Sequence, residues 1–381
     1  VKLAWIVAIA ACSAPPRIEQ VAQPTAPDPT IELVETTPVE TTLDSELRDA
    51  ADVWPEMIRN ARHTIDLAQF YISNGARLEP VIAAIEAAIA RGVRVRLLVE
   101  QSFVKVYPET LDRLARAGAT VRHADFTPGI LHAKYFVVDG HDAFFGSQNF
   151  DWRALEHNLE LGIRTHDAAI AARLLAIFEL DWARAGDEPA PRMVVPAASG
   201  SIALVASPKD RLPGGIEWEL PKLVAAIDSA TAQIHVQLLT YRAGDWAELE
   251  APLLEAAARG VHVELMLADW SKRAKTIGGL QKLASVPNVE IRLVTIPIAS
   301  RGFIPFARVI HAKLLVVDGS RAWLGTSNWE REYFYDSRNV GLWIDDATVA
   351  ARLDRFWQTG WRSTYAIRVD PGTPYEPPRI E

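Results

Sequence analysis

His132-Ala133-Lys134, then Asp139-Gly140, then Gly146-Ser147-Gln148-Asn149 is a pattern that the chain writes twice. It returns as His311-Ala312-Lys313, Asp318-Gly319 and Gly325-Thr326-Ser327-Asn328. Residues 132–174 align without a gap to 311–353, an offset of 179, with 17 of 43 positions identical. Upstream, Ala90-Arg91-Gly92-Val93 matches Ala258-Arg259-Gly260-Val261 at an offset of 168, so the second copy holds about 11 extra residues ahead of its motif. A period this long is not that of a solenoid; it marks two copies of one domain, expected to pack about a pseudo-twofold axis.

Each copy alternates strand and helix patterns. In the first, strands are expected at 65–71, 93–99 and 120–123, and helices at 78–91 and 109–117. Val81, Ile82, Ile85 and Ile89 recur at helical spacing, and Gly92 ends that helix. In the second, 220–227, 233–239, 246–259, 262–267 and 290–294 repeat the rhythm. The fold class expected is α/β, two fused domains with helices covering largely buried sheets.

The Asp-Gly pairs are hairpin turn signals. Residues two apart on a strand share a face, so His132 with Lys134, and Ser147 with Asn149, are expected on one face, as are their counterparts in copy two. Two facing copies would gather two imidazoles, two ammonium groups and two amides. That set suits a phosphodiester anion: cations and neutral donors hold the oxygens, one His attacks phosphorus, and the other protonates the leaving oxygen. It does not have metal-ligand spacing, and no metal or cofactor is called for. Asp139 and Asp318, each before a Gly in a turn, read first as turn chemistry. The remaining histidines have no repeated partner and read as structural or surface groups.

Composition bounds the rest. Of 381 residues 49% are apolar and 23% charged, with 40 Lys plus Arg against 48 Asp plus Glu and a net charge of −8. That excludes a disordered chain and a broad basic surface for duplex DNA. The one cysteine, Cys12, excludes an internal disulfide and a cysteine-based zinc site. It follows an apolar run, Leu3–Ala11, too short to span a bilayer but suited to a signal segment. Small residues before a cysteine resemble the lipobox of bacterial lipoproteins. Residues 1–12 are therefore expected to be a lipoprotein-type signal with acylated Cys12, placing the protein in a bacterial cell envelope. Residues 13–42, with six prolines and no aromatic residue, are expected to be a disordered spacer, and 370–381, with four prolines, a loose tail. The two domains are then 43–195 and 196–369.

The double motif resembles the phospholipase D superfamily over nearly all of residues 43–367. Gly146-Ser147-Gln148-Asn149-Phe150-Asp151-Trp152-Arg153, Ile304-Pro305-Phe306-Ala307-Arg308-Val309 and Gly325-Thr326-Ser327-Asn328-Trp329 are most similar to the animal lysosomal exonuclease and poxvirus envelope phospholipase branch. The resemblance implies a metal-independent phosphodiesterase working through a phosphohistidine, with Lys134, Lys313, Asn149 and Asn328 at the site and Ser147 and Thr326 in support. It also implies a carboxylate bonded to the far imidazole nitrogen. Glu160 lies 28 residues after His132, where the second copy has Asn339. Glu160 is thus expected to support His132 as nucleophile, leaving His311, beside Asn339, as general acid.

Substrate is the less legible part. The excess in copy two includes the apolar stretch 296–306 with Phe303 and Phe306, either a lip for an acyl chain or a loop packed on the other domain. Trp270, Lys272 and Arg273 follow the 262–267 strand, at the sheet end where such folds carry sites. They suit a nucleic-acid backbone with a stacked base, or an anionic headgroup. The expectation is a phospholipid phosphodiesterase or transphosphatidylase. The alternatives are an exonuclease on single-stranded DNA or RNA and a non-catalytic envelope scaffold. With both half-sites in one chain, a monomer suffices.

Overall fold

The repeated apolar rhythm folds as two α/β halves in the computed structural model, which describes residues 1, 30–192, 195–196 and 200–381. The first half runs β1 (Ile31–Thr36), β2 (Arg48–Asp49), α1 (Ala50–Asn60), β3 (Thr64–Gln69), α2 (Glu79–Ala90) and β4 (Arg94–Glu100). It continues with α3 (Pro108–Ala117), β5 (Thr120–Ala124), β6 (Tyr135–Val138), β7 (Asp142–Gly146), β8 (Glu160–Thr165) and α4 (Ala168–Ala185). The second half runs β9 (Ile202–Ser207), β10 (Glu217–Trp218), α5 (Glu219–Asp228), β11 (Gln233–Leu238), α6 (Ala247–Ala258), β12 (His262–Ala268) and α7 (Ala274–Leu283). Then follow β13 (Val289–Val294), β14 (Lys313–Val317), β15 (Arg321–Gly325), α8 (Arg331–Tyr335), β16 (Asn339–Ile344), α9 (Ala347–Trp361) and β17 (Ala366–Arg368).

Two mixed sheets result, ordered β2-β1-β8-β7-β6-β3-β4-β5 and β10-β9-β16-β15-β14-β11-β12-β13-β17. Apart from the added β17, the second order repeats the first, as two copies of one domain require. Helices α1–α3 cover one face of the first sheet and α5–α7 one face of the second. The other faces, with α4 and α9, bury a single apolar core that runs through both halves. Both inner helices start on the same cap: Asp167 accepts from the N–H groups of Ala169 and Ile170, and Asp346 from those of Thr348 and Val349.

Three expectations about the ends need restating. Cys12 and its signal-type segment, with the spacer up to residue 29, lie outside the described residues. The spacer does not reach residue 42: Ile31–Thr36 is largely buried and pairs antiparallel with β8 along its whole length. The tail is not loose either. Gln281 Nε2 donates to the carbonyls of Asp370, Pro371 and Thr373, the Phe306 N–H donates to Ile380, and Arg379 lies 4.1 Å over the Phe303 ring.

Each half carries a buried charge triad on equivalent elements, with the cation on different strands. In the first, Arg96 on β4 bonds Asp66 (2.6 Å) and Glu179 (2.5 Å). In the second, His235 on β11 bonds Asp354 (2.6 Å) and Glu264 (3.0 Å) and stacks on Trp357. Burial works against the His235 charge, but the two carboxylates outweigh it and raise the pKa to about 8. A pKa raised on folding gives stability that is full below the unfolded value of about 6.5 and is lost as pH rises through about 8, on the order of 2 kcal/mol. The melting temperature is therefore expected to fall between pH 6.5 and 9, and His235→Gln to remove that part of the slope.

Candidate active site

The two motifs meet because each half lends a strand edge to the other. Leu131 bridges Arg338 and Leu159 bridges Ile310, both in parallel. The His132 N–H donates to Arg338 O (2.9 Å) and the His311 N–H to Leu159 O (2.8 Å). Such pairing needs close backbones: a Cβ on Gly129 would lie 2.3 Å from the Asp336 carbonyl carbon and oxygen of the other half. Within the first hairpin, a Cβ on Gly146 would lie 2.6 Å from Gly162 Cα on β8. The motif glycine is the residue that lets these strands approach.

This exchange of edges corrects the expected partner of each imidazole. The residue after Leu159 is Glu160, so its carboxylate lands beside His311: Glu160 Oε2 lies 2.9 Å from His311 Nδ1. The residue after Arg338 is Asn339, and its Oδ1 lies 3.1 Å from His132 Nδ1. Glu160 does not support His132. The motif hydroxyls back these contacts rather than facing the substrate space. Ser147 Oγ donates to Glu160 Oε2 (2.5 Å) and Thr326 Oγ1 to Asn339 Oδ1 (2.8 Å). Asn339 Nδ2 donates to the Tyr333 and Ser337 carbonyls, which fixes Oδ1 toward His132. The His132 Nδ1 must then carry a proton, leaving Nε2 with its lone pair.

Lys134 and Lys313 are buried beneath the imidazoles, and each donates to its own motif's His carbonyl, Lys313 at 2.6 Å. Burial drives Lys134 well below the ordinary lysine value and Lys313 down to about 7. Burial also drives His132 well below its ordinary value, and the charges of Lys134 and Lys313 push the same way. His311 is lowered too, chiefly by burial, with the Glu160 carboxylate opposing the shift. Burial thus disfavours charge on all four groups, most strongly on Lys134 and His132, and an anion held between them would favour their protonated forms.

Both imidazoles line one cavity of about 420 Å³, as do Asn149 and Asn328, whose Oδ1 atoms are buried without a protein partner. Asn149 Nδ2 reaches Tyr71 Oη at 3.4 Å. The walls are mostly aromatic. Tyr71 stacks with Phe103 and Tyr107, while Phe70 and Tyr333 meet the His132 ring edge-on. The one guanidinium in the lining, Arg153, is held by Asp151 and by Tyr107 Oη at 2.9 Å.

The weaker sequence expectations divide. Trp270 and Phe306 line the cavity, and Phe303 lines an adjoining groove. Lys272 and Arg273 line neither space; Lys272 donates to Thr295 Oγ1 and Arg273 to Trp270 O. Lys272 thereby ties the turn after β12 to the residue following β13, and Arg273 caps that turn. The 296–306 stretch is packed on the other half, and one end of it lies at the cavity. Ser300 is held by Glu40 of the first half through its N–H (2.7 Å) and Oγ (2.6 Å), while Phe306 stands exposed at the cavity mouth. Missed by the sequence reading were Phe70, Tyr71, Phe103 and Tyr107, aromatic side chains in the segments that follow β3 and β4, and Tyr333 in the short helix α8.

Asp139 and Asp318 do not reach the cavity. At positive φ, each closes its turn and accepts three backbone N–H groups from the segment before a central strand: Arg62, His63 and Thr64 for Asp139, and Thr231, Ala232 and Gln233 for Asp318. Asp139→Ala is expected to cost about 1.5–3 kcal/mol in stability, with kcat nearly unchanged in the folded fraction. Thermal denaturation beside active-site titration separates the two.

The family model described as "Cardiolipin synthase, PLD-like domain" matches residues 55–182 and 223–361, one match in each half. Phospholipase D Z of Dictyostelium discoideum is 27% identical over 89% of this chain and 90% of its own. The 5'-3' exonuclease PLD4 of Mus musculus is 26% identical over 85% of this chain and 76% of its own. Among solved structures, phosphatidylserine synthase of Haemophilus influenzae superposes with a TM-score of 0.67 at 12% identity, covering 91% of this chain and 89% of that one. That likeness is one of fold.

Proposed function

Because the chain belongs to the phospholipase-D-like family, we propose that this phosphodiesterase cleaves or transfers the phosphatidyl group of glycerophospholipids through a phosphohistidine, without a metal ion. The observation that carries the lipid reading is the character of the catalytic cavity. Around the polar groups of His132, His311, Asn149, Asn158 and Asn328 its walls are aromatic and aliphatic, its mouth carries the exposed side chains of Val106 and Phe306, and its one guanidinium is already paired with Asp151. An acyl-bearing diester gains from such walls, whereas a polynucleotide looks for free cations along its backbone.

In the proposed reaction His132 Nε2 attacks phosphorus, and the bond to the leaving oxygen breaks as His311 Nε2–H protonates that oxygen. The Asn339 contact supports this order by holding the His132 proton on Nδ1. Glu160 supports it by favouring the imidazolium of His311. The roles thus stay as the sequence reading had them, for a different reason. Water or an alcohol then attacks phosphorus as His311 takes its proton, and the P–N bond breaks. Acylation of Cys12 would hold this site at an envelope membrane; loss of labelled fatty acid from Cys12→Ser is the test.

A second reading, an exonuclease on single-stranded nucleic acid, is favoured by the Tyr71–Phe103 and Tyr71–Tyr107 stacks, which offer ring faces to a base. The two separate in one experiment: the purified chain with phospholipids and ethanol, and with end-labelled oligonucleotides, both in chelator. Phosphatidylethanol that forms in chelator and disappears in His132→Ala is expected. Oligonucleotide shortening with no lipid turnover would overturn the lipid reading.

A further inference from the structure

Asn158 stands directly before Leu159, whose backbone bridges Ile310 of the other half, so the crossing that brings Glu160 to His311 brings this amide with it. Its own N–H is tied to Arg153 O (3.1 Å), and the Leu159 N–H to Val309 O (2.9 Å). Asn158 is only 7% exposed and lines the catalytic cavity. Its Nδ2 reaches Glu160 Oε1 at 3.4 Å, while Oε2 of the same carboxylate lies 2.9 Å from His311 Nδ1. One carboxylate thus holds both the amide and the imidazole.

That contact fixes which way the amide faces. Turned over, Asn158 would set its carbonyl oxygen against the carboxylate, acceptor against acceptor. With Nδ2 toward Glu160, Oδ1 is a buried acceptor that no protein donor meets. Burying such an acceptor is costly unless a donor reaches it in the reaction. The Oδ1 atoms of Asn149 and Asn328 also lack a protein partner, but those two repeat each other across the halves. Asn158 has no such twin. Ser337 stands at its place in the second half, and Ser337 Oγ accepts the Ile130 N–H (3.2 Å). The additional acceptor therefore accompanies His311 and not His132.

We propose that Asn158 positions the nucleophile of the second step and so sets the division between water and alcohol. Water has two protons. One passes to His311 Nε2 as the water oxygen bonds to phosphorus and the P–N bond to His132 breaks; the other is held by Asn158 Oδ1. An alcohol has a single hydroxyl proton, which His311 takes, and Oδ1 is left unmatched. A diol satisfies both groups, because its second hydroxyl donates to the amide. This role rests on His311 as the imidazole that moves the proton, and it holds for a lipid or a nucleic-acid diester alike.

The test uses bis(p-nitrophenyl) phosphate, which has neither acyl chain nor nucleoside. Water converts it to p-nitrophenyl phosphate, and an alcohol to an alkyl p-nitrophenyl phosphate. Products of the full-length enzyme are counted in ethanol and, separately, in ethylene glycol at the same concentration. The parent is expected to form more glycol ester than ethyl ester. Asn158→Leu is expected to shift the ratio of hydrolysis to ethyl ester about fivefold toward the ester, the worth of one neutral hydrogen bond, and to erase the advantage of glycol. Asn158→Ala, which adds no bulk, is expected to move both ratios the same way. A ratio of products formed in one reaction does not change with the folded fraction. Parental ratios in both variants, with the phosphoryl adduct on His132, would overturn the role of Asn158 and leave the assignment of the histidines intact. An adduct on His311 would overturn that assignment and the role of Asn158 with it.

Discussion

His132→Ala is expected to lose at least ~10⁴ in kcat on every diester, whatever its leaving group, because the other imidazole at the cavity, His311, is paired with Glu160 as the proton donor. His311→Ala is expected to behave differently. With an alkyl leaving group, such as the choline oxygen of a lipid headgroup, loss of the general acid costs about 10²–10⁴. With a p-nitrophenyl diester, whose leaving oxygen needs no proton, the first step is expected to survive. The second step then lacks its base, so a phosphoryl adduct on His132 should accumulate and be seen by mass spectrometry of the intact chain. An adduct on His311 in the His132→Ala variant would reverse the roles.

The pH profile checks the same assignment independently. The attacking imidazole must be neutral and the donating one protonated. Burial and the lysine charges push His132 well below its ordinary value, so its form is correct over most of the accessible range. His311 is also lowered, with Glu160 opposing the shift, so its protonated form fades as pH rises and sets the alkaline limb. Glu160→Gln removes the opposing charge while keeping an acceptor for Ser147. The alkaline limb of kcat/KM on alkyl diesters should then move to lower pH, and p-nitrophenyl diesters should be far less affected. A limb that stays in place would mean that the Glu160 charge does not set it.

Arg338→Leu is expected to be among the most damaging changes outside the cavity, costing about 3–5 kcal/mol. The Arg338 side chain is fully buried, forms two bonds to Asp181 of α4 in the first half (2.7 and 2.9 Å) and donates to Ser207 O (2.7 Å). Removing the guanidinium strands a buried carboxylate at the junction of the halves. The double variant Arg338→Leu/Asp181→Leu should recover much of the loss, because the desolvation cost of both charges disappears together. Melting temperatures of the three variants give the comparison. Activity of the single variant should fall beyond its folded fraction, since the backbone of Arg338 receives the His132 N–H.

Much of this protein is legible in its sequence. The strand and helix limits expected from apolar spacing fall within a residue or two of those found for β4, α2, α3, β11, α6 and β12. Helical and strand periods are local properties, and both copies state them. Strand β1 was missed because six prolines nearby make its surroundings look like spacer, and its stability comes chiefly from pairing with β8, 124 or more residues away. The docked tail was missed for the same reason: its bonds go to Gln281 and Phe306, which its own composition does not reveal.

The repeat in the sequence was enough to pair two His-x-Lys motifs with their Asn residues, and the structure brings both histidines and both asparagines to one cavity. The repeat also determined that Glu160 and Asn339 occupy equivalent positions. Which histidine each one serves is set by the packing of the two halves. Equivalence under a repeat is the same whether a residue faces its own copy or the other, and the parallel bridges Leu159–Ile310 and Leu131–Arg338 make the contacts cross between halves. The carboxylate therefore belongs to His311 and the amide to His132, a distinction set by two strand edges that meet only when the two copies fold against each other.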